Sequence, residues 1–252
     1  MTDAPPTSAD PGRWIRFALV MLPVGTIFLG IASFGIWQWK KDQAADRSFK
    51  YAMALRRPIT LEGIQRHAGI VREALAKPDW PLSIPGYLES TMGAENMGYT
   101  VRRTRLGDEQ SIIDAELTGK TRPREIVMAL VIYDGDPTRL IRTANTIAAL
   151  LGIAHETTGE SVVRSLRFAL IPSSPEALTR MKEQLRRDDE RLMHLFLLGN
   201  PSADVLKQIH DTFETAARGT QVVVRPATST PQEALPAAQE LKTLLLQAAE
   251  KP

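Results

Sequence analysis

The sequence predicts an α/β protein: a three-layer αβα domain on a mainly parallel sheet with an antiparallel edge hairpin, preceded by one transmembrane helix. Three observations carry this expectation. Phe17–Trp39 contains no charged side chain. Glu125–Tyr133, Arg164–Ile171 and Arg191–Leu198 are nearly continuous apolar runs, as strands buried on both faces should be. Segments with helical periodicity lie between and after these runs, and strand–helix alternation implies parallel pairing through crossover helices. The three runs are expected to be adjacent in the sheet.

Taken in order, Met1–Gly12 with Arg13 reads as a short disordered tail, rich in proline and small polar residues. Residues 14–40 read as a retained, single-pass anchor. A helix the length of Phe17–Trp39 covers about 35 Å, more than the roughly 30 Å of a hydrocarbon core. Trp14 near one end, and Trp37 and Trp39 near the other, suit the headgroup level. A cleaved signal peptide would have a shorter apolar region ending in small residues, whereas this one ends in Trp-Gln-Trp-Lys-Lys. Lys40, Lys41, Arg47, Lys50, Arg56 and Arg57 follow the span, against Arg13 and Arg16 before it, which favours a cytoplasmic C-terminal side.

Residues 41–76 read as a helical juxtamembrane stalk. Gln43–Arg57 is its first part, and Leu61, Ile64, Ala68, Val71 and Leu75 then recur at helical spacing from Thr60 onward. Residues 77–252 form the expected α/β domain. Lys77–Gly98, with Pro78, Pro81 and Pro85, reads as an irregular connection. Tyr99–Leu106 and Ser111–Leu117 flank Gly107-Asp108-Glu109 as a hairpin. Asp136-Pro137 marks a helix start ahead of Ile141, Ala144, Ile147, Ala148 and Leu151. Ser173 and Glu176 have capping-box spacing around Pro175, opening a charged helix to about Asp189. Ser202–Arg218 reads as a helix, Thr220–Arg225 as a short strand and Pro231–Ala249 as a final helix.

Composition narrows function. Charged residues make up 24% of the chain and the net charge is +2, so no nucleic-acid partner is expected. There is no cysteine, which removes disulfides, thiolate zinc sites and a cysteine nucleophile. No phosphate-binding glycine loop or G-x-S-x-G elbow is present.

Four segments carry a family resemblance. Ile112–Asp134 (IIDAELTGKTRPREIVMALVIYD), Thr143–Leu151 (TANTIAALL), Leu166–Leu170 (LRFAL) and Met193–Asn200 (MHLFLLGN) follow one another in the family's order. Together they resemble the zinc-dependent aminopeptidases of the bacterial leucyl aminopeptidase and glutaminyl cyclase type. The resemblance implies that fold, and in the family's active members two zinc ions held by histidines and carboxylates with a glutamate base. The ligand positions are not retained. Ile132 stands at the histidine of the family's "HYD" segment, although Tyr133 and Asp134 are kept. The bridging aspartate falls near Ile141 or Arg142, the Glu-Glu pair near Ser174 and Pro175, and the aspartate of the last strand at Phe196. No histidine follows Arg225. The resemblance therefore implies a pseudoenzyme with no catalytic residue, metal or cofactor.

Other candidates are weaker. His155-Glu156 lacks a second histidine, since position 159 is glycine, and reads as a solvated helix end. His194 reads as a core histidine, and His67 and His210 as surface residues. Asp134 and Asp136 lie where open α/β sheets bind ligands, at a strand's C-terminal end, and are the candidate remnants of a cleft, although they also suit a helix cap. The expected function is a non-catalytic binding or scaffolding domain tied to the lipid bilayer, with a protein partner. The resemblance to secreted and periplasmic peptidases leans the domain outside the cytoplasm, against the charge count. Two alternatives stand beside it: a hydrolase with displaced ligands among Asp134, Asp136, Glu156 and Glu176, and a ligand sensor at the former cleft.

Overall fold

A computed structural model describes residues 26, 33–40, 51, 53–107, 110–134, 136–213 and 221–250. The chain divides into two units, Met1–Phe49 and Lys50–Pro252. In the first, residue 26 and residues 33–40 are helical, with Phe34, Ile36, Trp37 and Trp39 exposed. Most of the expected span Phe17–Trp39, and Gln43–Lys50 of the expected stalk, lie outside the described residues. Among the described residues no helix is long and apolar enough to cross a membrane.

The second unit is built on a mixed six-stranded sheet. Its strands are β1 (Thr100–Leu106), β2 (Gln110–Leu117), β3 (Arg122–Tyr133), β4 (Arg164–Pro172), β5 (Arg191–Leu198) and β6 (Gln221–Arg225), in the order β1-β2-β4-β3-β5-β6. β4, β3, β5 and β6 are parallel neighbours. The β1–β2 hairpin lies antiparallel at one edge, with Gly107 at φ +58° in its turn, a conformation glycine adopts without a Cβ clash.

The helices are α1 (Leu61–Leu75), α2 (Trp80–Met92), α3 (Leu140–Thr157), α4 (Pro175–Arg187), α5 (Ala203–Phe213) and α6 (Pro231–Glu250). Residues of α1, α2, α3 and α6 share one core with Val127, Ala129 and Val131 of β3. Residues of α4 and α5 share the other with Ile126, Met128 and Leu130. Apolar side chains on both faces explain the unbroken run in β3. Ala129 pairs with Phe168 on one side and Phe196 on the other, so a small residue gives two aromatic rings room on that face.

Two local expectations are corrected. Lys77–Gly98 holds a full helix, α2, rather than an irregular connection. Pro81 sits in its first turn, where a missing N–H costs nothing, and burial of Ile84, Leu88 and Met92 outweighs the break at Pro85. α1 packs into the domain core through Ile64, Ala68, Val71 and Leu75. Thr60 caps it by accepting from the Gly63 N–H at 3.1 Å. α4 is capped by Ser174, which accepts from the Ala177 N–H at 3.2 Å, one residue later than the capping-box spacing placed it.

Under α4, a charged network is buried. Arg167 is 2% exposed and donates to both oxygens of Glu190, while also meeting Glu116. Asp114 lies beside it at 3.8 Å and takes further contacts from Arg102 and Gln184. Burial pushes the Asp114 carboxyl above its usual range, opposed by the Arg167 and Arg102 guanidiniums.

Candidate functional site

The parallel strands end on one side of the sheet, and a cleft opens there, where open α/β sheets present ligand sites. β3 delivers Ile132 and Asp134, the turn after β4 delivers Ser173, and the end of β5 delivers Leu198 and Asn200. Arg142, Thr143 and Thr146 come from the start of α3. The cleft has a volume of about 330 Å³.

Asp134 accepts from the Asp136 N–H at 3.3 Å and lies 3.6 Å from the Arg139 guanidinium. Asp136 does not line the cleft. Its carboxylate accepts from the Thr138 hydroxyl at 2.7 Å and the Thr138 N–H at 2.9 Å, and these bonds hold it below the usual carboxylate range. Arg139 lies 3.5 Å from Asp136 as well. Asp136 thus shapes the turn before α3 rather than capping the helix itself, which begins at Leu140 after Arg139 without a side-chain cap.

The remaining sequence candidates scatter. Arg142 lines the cleft and is exposed. Ser174 is committed to the α4 cap, and Glu176 is exposed in that helix's first turn. Phe196 is 4% exposed and belongs to the core shared with α3 and α6, so its position is closed by packing. Glu156 lies near the other end of α3, about 21 Å along the helix from Arg142. It is not a solvated helix end. It accepts from Lys242 Nζ at 2.7 Å and from the Ile59 N–H at 3.1 Å. Burial opposes its charge, but these two contacts outweigh it and hold the carboxyl below its usual range.

The histidines lie elsewhere. His67 is buried, contrary to its expected surface placement: its Nδ1 is 2.6 Å from the Tyr87 hydroxyl and its ring faces His155 at 6.5 Å. Burial first, then Arg66 and His155, lowers its pKa to about 4. The helical stripe Ile64, Ala68, Val71 includes position 67 at the third step, so the signal was present in the spacing. His194 is half-buried on β5 with its ring beside Phe196, and His210 is half-buried on α5.

Arg139 and Asn200 were not singled out as site residues by their sequence, and Ser173 was read only as a helix cap. All three follow or adjoin strand ends, and that placement becomes visible only once the strands are known to be parallel.

This arrangement matches known folds. The domain resembles a glutaminyl cyclase from Fimbriiglobus ruber at 11% identity, over 77% of this chain and 96% of that one, with a TM-score of 0.53. A putative zinc-dependent exopeptidase from Bacteroides vulgatus matches at 10% identity over 78% and 98%, with a TM-score of 0.55. A glutaminyl cyclase from Tannerella forsythia matches at 9% over 77% and 100%, also with a TM-score of 0.55. The domain has the aminopeptidase and glutaminyl cyclase fold. No family model and no curated protein matches the sequence.

Whether this aminopeptidase-like domain suits zinc depends on its donor set. Zinc sites on proteins use histidine, cysteine and carboxylate ligands. The chain has four histidines and no cysteine, and no histidine lines the cleft. The cleft's charged lining is Asp134, Arg139 and Arg142. Among the described residues no three His, Asp or Glu side chains gather as a metal site. One carboxylate already facing a guanidinium does not fit a dinuclear zinc centre.

Proposed function

We propose that this chain is a membrane-tethered, non-catalytic aminopeptidase-like domain that works by binding. The observation that carries this reading is the cleft lining: Ile132 and Arg142 stand among its residues, with no histidine and with Asp134 as its carboxylate. An isoleucine cannot coordinate zinc and an arginine repels it. The displaced-ligand alternative gains no support, because Glu156 is tied to Lys242 and Glu176 faces solvent on α4. Tethering is supported by the uncharged run Phe17–Trp39 with its terminal tryptophans, and the resemblance favours an extracytoplasmic domain.

The test is to purify the full chain in detergent and measure bound zinc together with hydrolysis of aminoacyl substrates. Little zinc and no turnover are expected. Stoichiometric zinc with turnover abolished by a chelator overturns the non-catalytic reading. Resistance of the full chain to carbonate extraction, and its loss on deleting 14–40, tests the tether. Reporter fusions at the C-terminus decide the side, and strong cytoplasmic-reporter activity alone would reverse the extracytoplasmic assignment.

A further inference from the structure

The cleft keeps the place and size of a ligand site, yet its charge runs opposite to that of a cation site. Arg139 and Arg142 face it against the single carboxylate of Asp134. Arg139 is engaged by Asp134 and Asp136. Arg142 has no ion-pair partner among the described residues.

Local stability does not account for Arg142. It sits in the first turn of α3, where the helix dipole disfavours a cation, and no acidic residue in that turn offsets it. Its guanidinium is exposed at the cleft without an ion-pair partner and is free to meet an anion, and its planar fork matches a carboxylate in two parallel hydrogen bonds.

The rest of the lining limits what that anion carries. Ile132 and Val205, both half-buried, give it an apolar side. Asn200 spends its Oδ1 on the Ala227 N–H at 3.3 Å, which turns its amide N–H groups into the available donors. Ser202 at the start of α5 accepts from the Val205 N–H, which engages one of that helix's terminal backbone donors. A volume of about 330 Å³ lies at the small end of ligand pockets.

We infer that the cleft binds a small organic carboxylate with a short aliphatic body, its carboxylate seated on Arg142 and its body against Ile132 and Val205. This rests on the reading that the cleft binds rather than catalyses. Recognition here is of a negative terminus, the reverse of holding a metal cation in the same place.

The experiment titrates full-length protein in detergent with N-acetyl-leucine, its neutral analogue N-acetyl-leucinamide, cationic leucinamide and inorganic phosphate, read by calorimetry. N-acetyl-leucine should bind, and the other three should bind at least about tenfold more weakly, as loss of a charge-assisted bidentate pair implies. Arg142→Gln should weaken N-acetyl-leucine by a similar factor with no change in Tm, and Arg142→Lys by less. Arg180→Gln on α4, an exposed position away from the cleft, should change nothing. The inference is overturned if the amide binds as tightly as the acid, if leucinamide or phosphate is preferred, or if Arg142→Gln binds like the parent. Zinc content and turnover on the same preparation keep the two readings apart. Zinc-free, inactive protein that ignores N-acetyl-leucine defeats this inference alone, whereas zinc with turnover defeats the non-catalytic reading.

Discussion

The Arg167 guanidinium donates to both carboxylate oxygens of Glu190, each at 2.7 Å. With Glu116 and Asp114 also against it, this arginine is the positive centre of an acidic cluster under α4. Its Nε is buried without a hydrogen-bond partner, so even here satisfaction is incomplete. Removing one partner of a buried charge network leaves the others uncompensated. Arg167→Ala should therefore destabilise the domain by about 3–5 kcal/mol. Arg167→Lys should recover part of that, because an ammonium keeps the charge but loses the fork. Urea unfolding measures both, and a loss below about 1 kcal/mol for the alanine variant would mean the network adds nothing net.

Stability should also depend on pH through His67. Its folded pKa is about 4, below the ordinary 6.5, because burial, Arg66 and His155 all disfavour the imidazolium. Between these values the unfolded chain binds the proton and the folded chain does not. Stability is thus present above pH 6.5 and is lost as the pH falls toward 4. Burial and Arg57 lower His155 too, so it contributes in the same direction. Allowing for partial solvent screening, His67 accounts for about 1–2 kcal/mol of the loss. His67→Gln should flatten the profile over that window. Identical slopes for parent and variant would show that His67 does not titrate in this way.

Gly119 is expected to resist substitution. A Cβ there would lie 2.5 Å from the Arg164 carbonyl carbon and 2.6 Å from the Val163 oxygen, both backbone atoms that cannot swing aside. Gly119→Ala should cost about 1–3 kcal/mol, the usual range for overpacking. A thermal shift within error of the parent would place this loop farther from β4 than the structure does.

Ala129 and Leu195 are fully buried on opposite faces of the sheet. Ala129→Asp and Leu195→Asp should each cost several kcal/mol, since an unpaired carboxylate in an apolar core loses its solvation. Native-like thermal unfolding of either variant would contradict the assignment of that strand to the core.

The sequence by itself determined where β3, β4 and β5 lie, because a strand covered on both faces is apolar at most positions, Arg167 of β4 being an exception that its carboxylate partners balance. Helix starts at Thr60 and Pro231 were legible for a similar reason: a cap or a first-turn proline acts on backbone groups within a few residues. α2 was not legible, since its local proline signal argues against a helix and only the burial of Ile84, Leu88 and Met92 overrules it. The candidate site divides along the same line. Asp134 could be found from its place after a strand, but its engagement by Arg139, the unpartnered Arg142 and the isolation of Glu156 could not. Each of those depends on which segments meet, and the tertiary structure alone decides that, through packing between residues far apart in the chain.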